Sequence, residues 1–158
     1  MENFILIVYF LSLCVLFGFG IHGLLLLYYY RKTYAKNYTN EQMPAEVPKV
    51  TIQLPLYNEY FVVERLINSV CEIEYPKDKL EIQVLDDSTD ETQELCKKVV
   101  NEMANKGFNI KYVHRDNRQG FKAGALKYGL DFAEGEYVAI FDADFVPNKD
   151  FLMKTIPH

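Results

Sequence analysis

The 158 residues carry 17 basic and 22 acidic side chains, for a net charge of −5, with no basic stripe, which argues against nucleic acid as a partner. That length holds one domain plus an appendage. The three cysteines, Cys14, Cys71 and Cys96, lack zinc-ligand spacing, and their odd number argues against a disulfide framework, so three ordinary buried thiols are expected.

The first predicted element is the apolar run at 4–30, "FILIVYFLSLCVLFGFGIHGLLLLYYY", which contains no Lys, Arg, Asp or Glu. As a helix it would be about 40 Å long, against a hydrocarbon core of about 30 Å, so it suffices to cross a bilayer with some tilt. A cleaved leader would need a basic start, a shorter apolar core and a small-residue cleavage site. Here the run follows Met-Glu-Asn and ends in Tyr28, Tyr29 and Tyr30, with Arg31, Lys32 and Lys36 beyond. This predicts an uncleaved membrane anchor at 1–31, with everything after it on the cytoplasmic face of the cell membrane. Within the run, "GFGIHG" at 18–23 satisfies the dinucleotide pattern G-x-G-x-x-G, but it lacks the strand before and the amphipathic helix after that the pattern requires. Small residues for helix contact in lipid explain it better, with His22 packing beside them.

Residues 32–48, polar and bearing Pro44 and Pro48, read as a linker, and 49–158 as the soluble part. "KVTIQLP" is strand-like, and "EYFVVERLINSVCEI" puts Val63, Leu66, Ile67 and Val70 on one helical face. "EIQVLDD" is a second strand. "DETQELCKKVVNEMANKG" repeats Leu95, Val99 and Met103 at helical spacing and stops at Gly107. "NIKYVHR" is a third strand, "FKAGALKYGLDFA" a third helix despite two glycines, "EYVAIFDAD" a fourth strand, and "NKDFLMKTI" opens another helix. Strand–helix alternation predicts an α/β fold with a mainly parallel sheet and helices on both faces, whose ligands bind outside the carboxyl ends of the strands.

Four polar loops on apolar strands should therefore share one rim: "PLYNE", "DDSTD", "HRDNRQGFKAG" and "DADF". Val138, Ala139, Ile140 and Phe141 read as an internal strand running straight into Asp142 and Asp144. Unpaired buried carboxylates are costly, so these two need a partner. In an extended backbone residues two apart share a side, about 6.5–7 Å apart at Cα, so both acids converge on one hard cation, Mg²⁺ or Mn²⁺. Magnesium keeps ligands for water and phosphate, so a metal-bridged diphosphate is the natural guest; solvated loop acids are the bland alternative. Lys122, after Gly120 at a helix start, suits phosphate, or is a plain surface lysine. Tyr57 and Glu59 offer a nucleobase an aromatic face and an acceptor. Asp86 and Asp87 could accept from a base N–H or a ribose hydroxyl, while Ser88 or Asp87 caps the next helix with Glu91 in an S-x-x-E box. His114 and Asp116 read as hydrogen-bonded loop residues before catalysts.

Taken together, "PLYNE", "LDDSTDET", "RDNRQGFKAGAL" and "YVAIFDADF" resemble the family 2 glycosyltransferases of GT-A fold, and within them the membrane-embedded synthases of β-linked polysaccharides. "IKYVHRDNRQGFKAGALK" is similar to the cellulose-synthase-like group that includes glucomannan and mannan synthases. The resemblance covers residues 49–153. It implies a Rossmann-like nucleotide-binding half of a GT-A domain behind a transmembrane helix. It implies that Tyr57, Glu59 and one of Asp86 and Asp87 hold base and ribose, that Lys122 contacts the diphosphate, and that Asp142 and Asp144 bind the metal, Asp144 more directly. The implied reaction transfers hexose from UDP-glucose or GDP-mannose to a growing polysaccharide acceptor, with inversion in one displacement.

The sequence departs from that family after Asp144. No T-E-D motif for the acceptor base, no Q-x-x-R-W motif and no further transmembrane helices precede His158. The expectation is an N-terminal fragment holding the donor half, with the catalytic base beyond residue 158 and weak nucleotide binding at most. Two alternatives remain at this point. One is a non-catalytic, membrane-anchored nucleotide-sugar-binding subunit, separated from a fragment by whether the reading frame continues. The other is a haloacid-dehalogenase-type phosphatase, whose D-x-D-x-[TV] nucleophile motif "DADFV" satisfies but places on the fourth strand in place of the first.

Overall fold

The computed structural model describes residues 1–34, 43–115 and 117–157. Lys36, Asp116, His158 and residues 35–42 of the expected linker at 32–48 lie outside the described residues. The chain divides into two units, 1–41 and 42–158.

The first unit holds helix α1, Glu2–Tyr34, 33 residues long. Its side chains are apolar on every side, and Phe4, Phe10, Leu16 and Leu24 are all exposed. A helix with no polar face has nothing to turn to water, and this one is long and apolar enough to cross a membrane. Arg31 and Lys32 occupy its last turn, where cations complement the helix dipole. Cys14 lies exposed on α1, so only Cys71 and Cys96 meet the expectation of buried thiols. Desolvation pushes Cys71 up to about 11 and Cys96 up to about 12, leaving both as neutral packing residues.

In the second unit, β1 (Val50–Leu56), β2 (Leu80–Asp86), β3 (Ile110–His114) and β4 (Tyr137–Ile140) form one parallel sheet in the order β3-β2-β1-β4. Val50 pairs with Leu80 on one side and Tyr137 on the other, so the strands start level and finish on a common rim. The intervening helices are α2 (Tyr60–Cys71), α3 (Thr92–Asn105) and α4 (Phe121–Leu130), with α5 (Phe151–Thr155) last.

The two faces of the sheet differ. On one, Val50, Ile52 and Leu54 of β1 with Ile82 and Val84 of β2 form the apolar core. The expected face of α2, Val63, Leu66, Ile67 and Val70, is completely buried in that core, and Val99 and Met103 of α3 join it. Each such side chain contributes about 1.5–3 kcal/mol by leaving water. On the other face α4 meets Gln53 and Gln83, and the Glu134–Gly135 segment after it meets Glu81 and Thr51, so that all four are wholly shielded. This burial explains a glycine that a helix would otherwise avoid: a Cβ on Gly129 would come within 2.6 Å of Gln53 Nε2.

Three local expectations are corrected. First, β4 is the edge of the sheet and no internal strand: among the described residues it pairs with β1 alone, and Tyr137, Val138 and Ile140 are exposed. Only Phe141, just past the strand, enters the core, where its ring meets Phe151 at 5.1 Å. Apolar composition marked the strand without revealing how many neighbours it has. Second, Asp142 and Asp144 do not lie on extended backbone. Phe145 N–H donates to the Asp142 carbonyl at 3.0 Å, which closes a turn. Third, α3 starts at Thr92 and lacks the expected capping box; the Thr92 N–H donates to Asp90 Oδ1 at 3.0 Å. Ser88 is buried and engaged elsewhere, as follows.

Candidate functional site

The four strand tips do converge, and each tip is tied to its neighbour. After β1 the chain turns through Asn58, whose φ of 55° is left-handed. Its N–H donates to Ser88 Oγ at 2.8 Å, and its Oδ1 accepts from the Thr89 N–H at 2.9 Å. These bonds clamp the β1 and β2 loops together and occupy the hydroxyl that would have capped α3. Strain of this kind persists where surrounding bonds over-determine the backbone.

Asp86 and Asp87 have separate fates. Asp86, 1% exposed, accepts from the Ser88 N–H at 3.0 Å and from the Tyr112 hydroxyl at 2.8 Å. It points into the core side of the rim and does not line the cavity beside it. Burial and the Asp86 carboxylate push the Tyr112 phenol far above its ordinary range, so it stays a donor. Asp87 faces the cavity, but its carboxylate takes a two-point contact from Arg115, with Nε to Oδ1 at 2.8 Å and an ion pair to Oδ2. That fork-to-carboxylate geometry is the strong form of the contact.

Arg115 also donates to the carbonyls of Gln119, at 3.0 Å, and Phe121, at 3.2 Å, gathering the turn at 119–121 around its guanidinium. Gly124 permits the approach: a Cβ there would sit 2.0 Å from the Gln119 oxygen and 2.8 Å from Arg115 Nη1. The loop ends at Gly120, φ 75°, and Phe121, φ 50°, and α4 then begins with Lys122 in its first turn. His114 Nδ1–H donates to the Asp86 carbonyl at 2.7 Å, which accords with a hydrogen-bonded residue.

These loops enclose a cavity of about 410 Å³ outside the carboxyl ends of the strands. Tyr57, Glu59, Asp87, Lys122, Asp142 and Asp144 all line it, and of the expected residues only Asp86 is left out. Lys122 Nζ forms an ion pair with Asp142. Among the described residues, Asp144 and the Glu59 carboxylate have no hydrogen bond or ion pair. The sequence reading missed two arginines. Arg115 was foreshadowed by register, since β2 and β3 pair Asp86 with His114 and so set Asp87 beside Arg115. Arg118, whose guanidinium carbon lies 3.3 Å above the Tyr57 ring centroid, had no such signal.

The donor set fits a hard divalent cation held partly by its guest. Asp142 and Asp144 present carboxylate oxygens to the cavity. Among the described residues no cluster of three or more His, Cys, Asp or Glu could complete a protein-only metal site. That suits Mg²⁺ or Mn²⁺ carrying water and phosphate, and disfavours zinc.

Residues 51–158 match the family described as Glycosyl transferase family 2. Over 121 residues the chain is 50% identical to a probable glucomannan 4-beta-mannosyltransferase 7 of Oryza sativa subsp. japonica, covering 74% of this chain and 21% of that protein. It is likewise 50% identical over 115 residues to glucomannan 4-beta-mannosyltransferase 9 of Arabidopsis thaliana, covering 70% of this chain and 22% of that protein. The chain thus spans about a fifth of the length of the curated relatives it matches. Among solved structures it is similar to the mannosyltransferase PcManGT from Pyrobaculum calidifontis in complex with GDP-Man and Mn²⁺. The TM-score is 0.70 at 35% identity, over 84% of this chain and 39% of that one. S. aureus TarS 1–349 in complex with UDP-GlcNAc matches with a TM-score of 0.53 at 31% identity, over 67% of this chain and 29% of that one. The phosphatase alternative falls with these matches, and the parallel α/β unit behind an apolar helix is a GT-A-like domain of the glycosyl transferase family 2, to which this chain belongs.

Proposed function

We propose that this chain carries the donor-binding part of a membrane-bound, inverting glycosyltransferase that adds mannose from GDP-mannose to a growing β-mannan. The observation that carries the reading is the convergence of Tyr57, Glu59, Asp87, Lys122, Asp142 and Asp144 on one cavity. The preference for GDP-mannose over UDP-glucose rests on the glucomannan mannosyltransferase relatives and on the GDP-Man complex of the similar fold. The apolar helix α1, with Arg31 and Lys32 at its end, supports a membrane anchor with the second unit on the cytoplasmic side.

In this reading Asp142 and Asp144 hold a Mn²⁺ or Mg²⁺ ion, which when bound stabilises the departing nucleoside diphosphate. The chain's own groups bind and orient. Lys122, paired with Asp142, would give up that carboxylate to bind a phosphate oxygen of the donor. Glu59 accepts from the base or ribose. Asp87 works through Arg115, which holds the turn at 119–121, and so is a positioning residue. The acceptor hydroxyl's proton is assigned to none of these side chains.

The test is calorimetric titration of the full chain in detergent with GDP, with and without Mn²⁺. Metal-dependent GDP binding is expected, with GDP-mannose competing better than UDP-glucose. GDP affinity indifferent to Mn²⁺ would overturn the site, and a preference for UDP-glucose would overturn the donor.

A further inference from the structure

We propose that Arg118 is a second diphosphate-binding cation, held in place by the Tyr57 ring, so that Tyr57 acts through Arg118 before it acts on any base. The inference rests on the nucleotide-sugar reading above and deepens it at a residue that no motif singled out.

Charge comes first. A sugar-linked nucleoside diphosphate carries two negative charges, one shared over the non-bridging oxygens of each phosphate. The divalent ion is already matched by the two carboxylates of Asp142 and Asp144, so the diphosphate needs two cations from the chain. Lys122 is one. Arg115 is committed to Asp87, and the pair is largely shielded, with 9% and 6% of the two side chains exposed. The remaining cation on the cavity wall is Arg118.

Geometry agrees. At 3.3 Å from the Tyr57 centroid, the guanidinium lies against the ring face, with the Phe121 ring a further contact at 5.1 Å. Such stacking uses the flat face of the cation and spares the N–H donors around its edge. Among the described residues Arg118 has no ion pair and no hydrogen-bonded acceptor. An exposed arginine ordinarily loses much rotamer freedom on engaging an anion. Here the aromatic face has already taken part of that loss, leaving a planar fork of the shape that binds phosphate at two points. Lys122, by contrast, must give up Asp142 before it can serve. Tyr57 therefore offers at most one face to a nucleobase, since Arg118 covers the other.

The test uses the full chain in detergent, with Arg118→Gln, Arg118→Lys and Tyr57→Leu, and two probes in the presence of Mn²⁺: GDP by titration and inorganic pyrophosphate by competition against it. Arg118 is exposed, so these changes leave the fold intact, which near-ultraviolet circular dichroism verifies. The expected result is that Arg118→Gln weakens both probes by the same factor, about tenfold or more, as for loss of a hydrogen bond to a charged group. Arg118→Lys recovers part of the loss, and Tyr57→Leu weakens pyrophosphate no further in the Arg118→Gln background. Equal affinities in wild type and Arg118→Gln overturn the proposal. So does a loss confined to GDP, which would make Arg118 a base contact, or pyrophosphate that fails to compete on the wild-type chain. Absence of any Mn²⁺-dependent GDP binding by the wild-type chain is a distinct outcome, because it removes the nucleotide-sugar reading itself.

Discussion

The two ends of the sheet carry acid clusters of similar composition and opposite character. At the amino end, Glu81 is fully buried and accepts from Thr51 Oγ1 at 2.6 Å, Lys111 Nζ at 2.8 Å and the Glu134 N–H at 2.9 Å. Glu134 in turn pairs with Lys111, at 2.6 Å, and with Lys49. At the carboxyl end, Asp142 has one exposed lysine, and Asp144 has no partner among the described residues. Each amino-end acid is answered from within the chain, as are Asp86 and Asp87 at the carboxyl end, whereas Asp142 and Asp144 leave acceptors for something outside it. Acid density alone is therefore no mark of a site; the mark is charge left unanswered at the rim where ligands of parallel sheets bind.

The comparison can be broken at either end. The largest effect expected is for Asp144→Asn, which should cost about hundredfold or more in Mn²⁺-dependent GDP affinity, at least the loss seen when groups supporting a metal ligand are removed. Its stability should stay within about 0.5 kcal/mol of wild type, because the side chain is exposed and unpaired. Loss of fold with loss of binding would erase the distinction between the ends. Lys111→Met is the converse. It leaves the buried Glu81 carboxylate without its cation and should cost roughly 1–3 kcal/mol, below the usual figure for a buried pair because Lys111 is 41% exposed. Urea unfolding followed by tyrosine fluorescence measures this, and GDP affinity in the native baseline should not change.

Gly124→Ala should act on both readouts, costing about 1–3 kcal/mol and weakening GDP, because the new methyl displaces the Gln119 carbonyl that Arg115 binds. Unchanged GDP affinity there would detach Arg115 and the turn at 119–121 from the site. The smallest effect is the pH dependence of the amino end. Burial raises Glu81, but its bonds from Lys111, Thr51 and the Glu134 N–H outweigh burial and leave it below the ordinary carboxylate range. Lys111 and Lys49 hold Glu134 down to about 2. Both folded values lie below the unfolded ones, so their contribution is complete above about pH 4.5 and is lost as pH falls toward 2. In acid titrations Glu134→Gln should show a shallower loss of stability across that window than wild type; parallel curves would remove Glu134 from the account.

Much of the site was legible because parallel strands deliver every carboxyl end to one rim, so reading the strand tips amounted to reading the cavity wall. Tyr57, Glu59, Asp87, Lys122, Asp142 and Asp144 were found in that way. The exception, Asp86, shows the limit of the method. Adjacent residues on a strand point to opposite faces, and only the pairing of β2 with β3 put Tyr112 over one acid and Arg115 over the other. The buried polar face was equally hidden. Thr51, Gln53, Glu81 and Gln83 alternate with apolar residues as a half-solvated strand would, and α4 together with the Glu134–Gly135 segment shields them.

The amino-acid sequence by itself determined the order of strands and helices, the apolar span at the amino terminus and the chemistry of the rim, since periodicity and local composition act over a few neighbouring residues. Tertiary structure decided that β4 is an edge, that Asp142 and Asp144 sit on a turn, and which charges are already satisfied. Those outcomes depend on distance through space: Asp87 meets Arg115 across 28 positions and Glu81 meets Thr51 across 30. Coulomb and hydrogen-bond energies follow that separation and take no account of position along the chain.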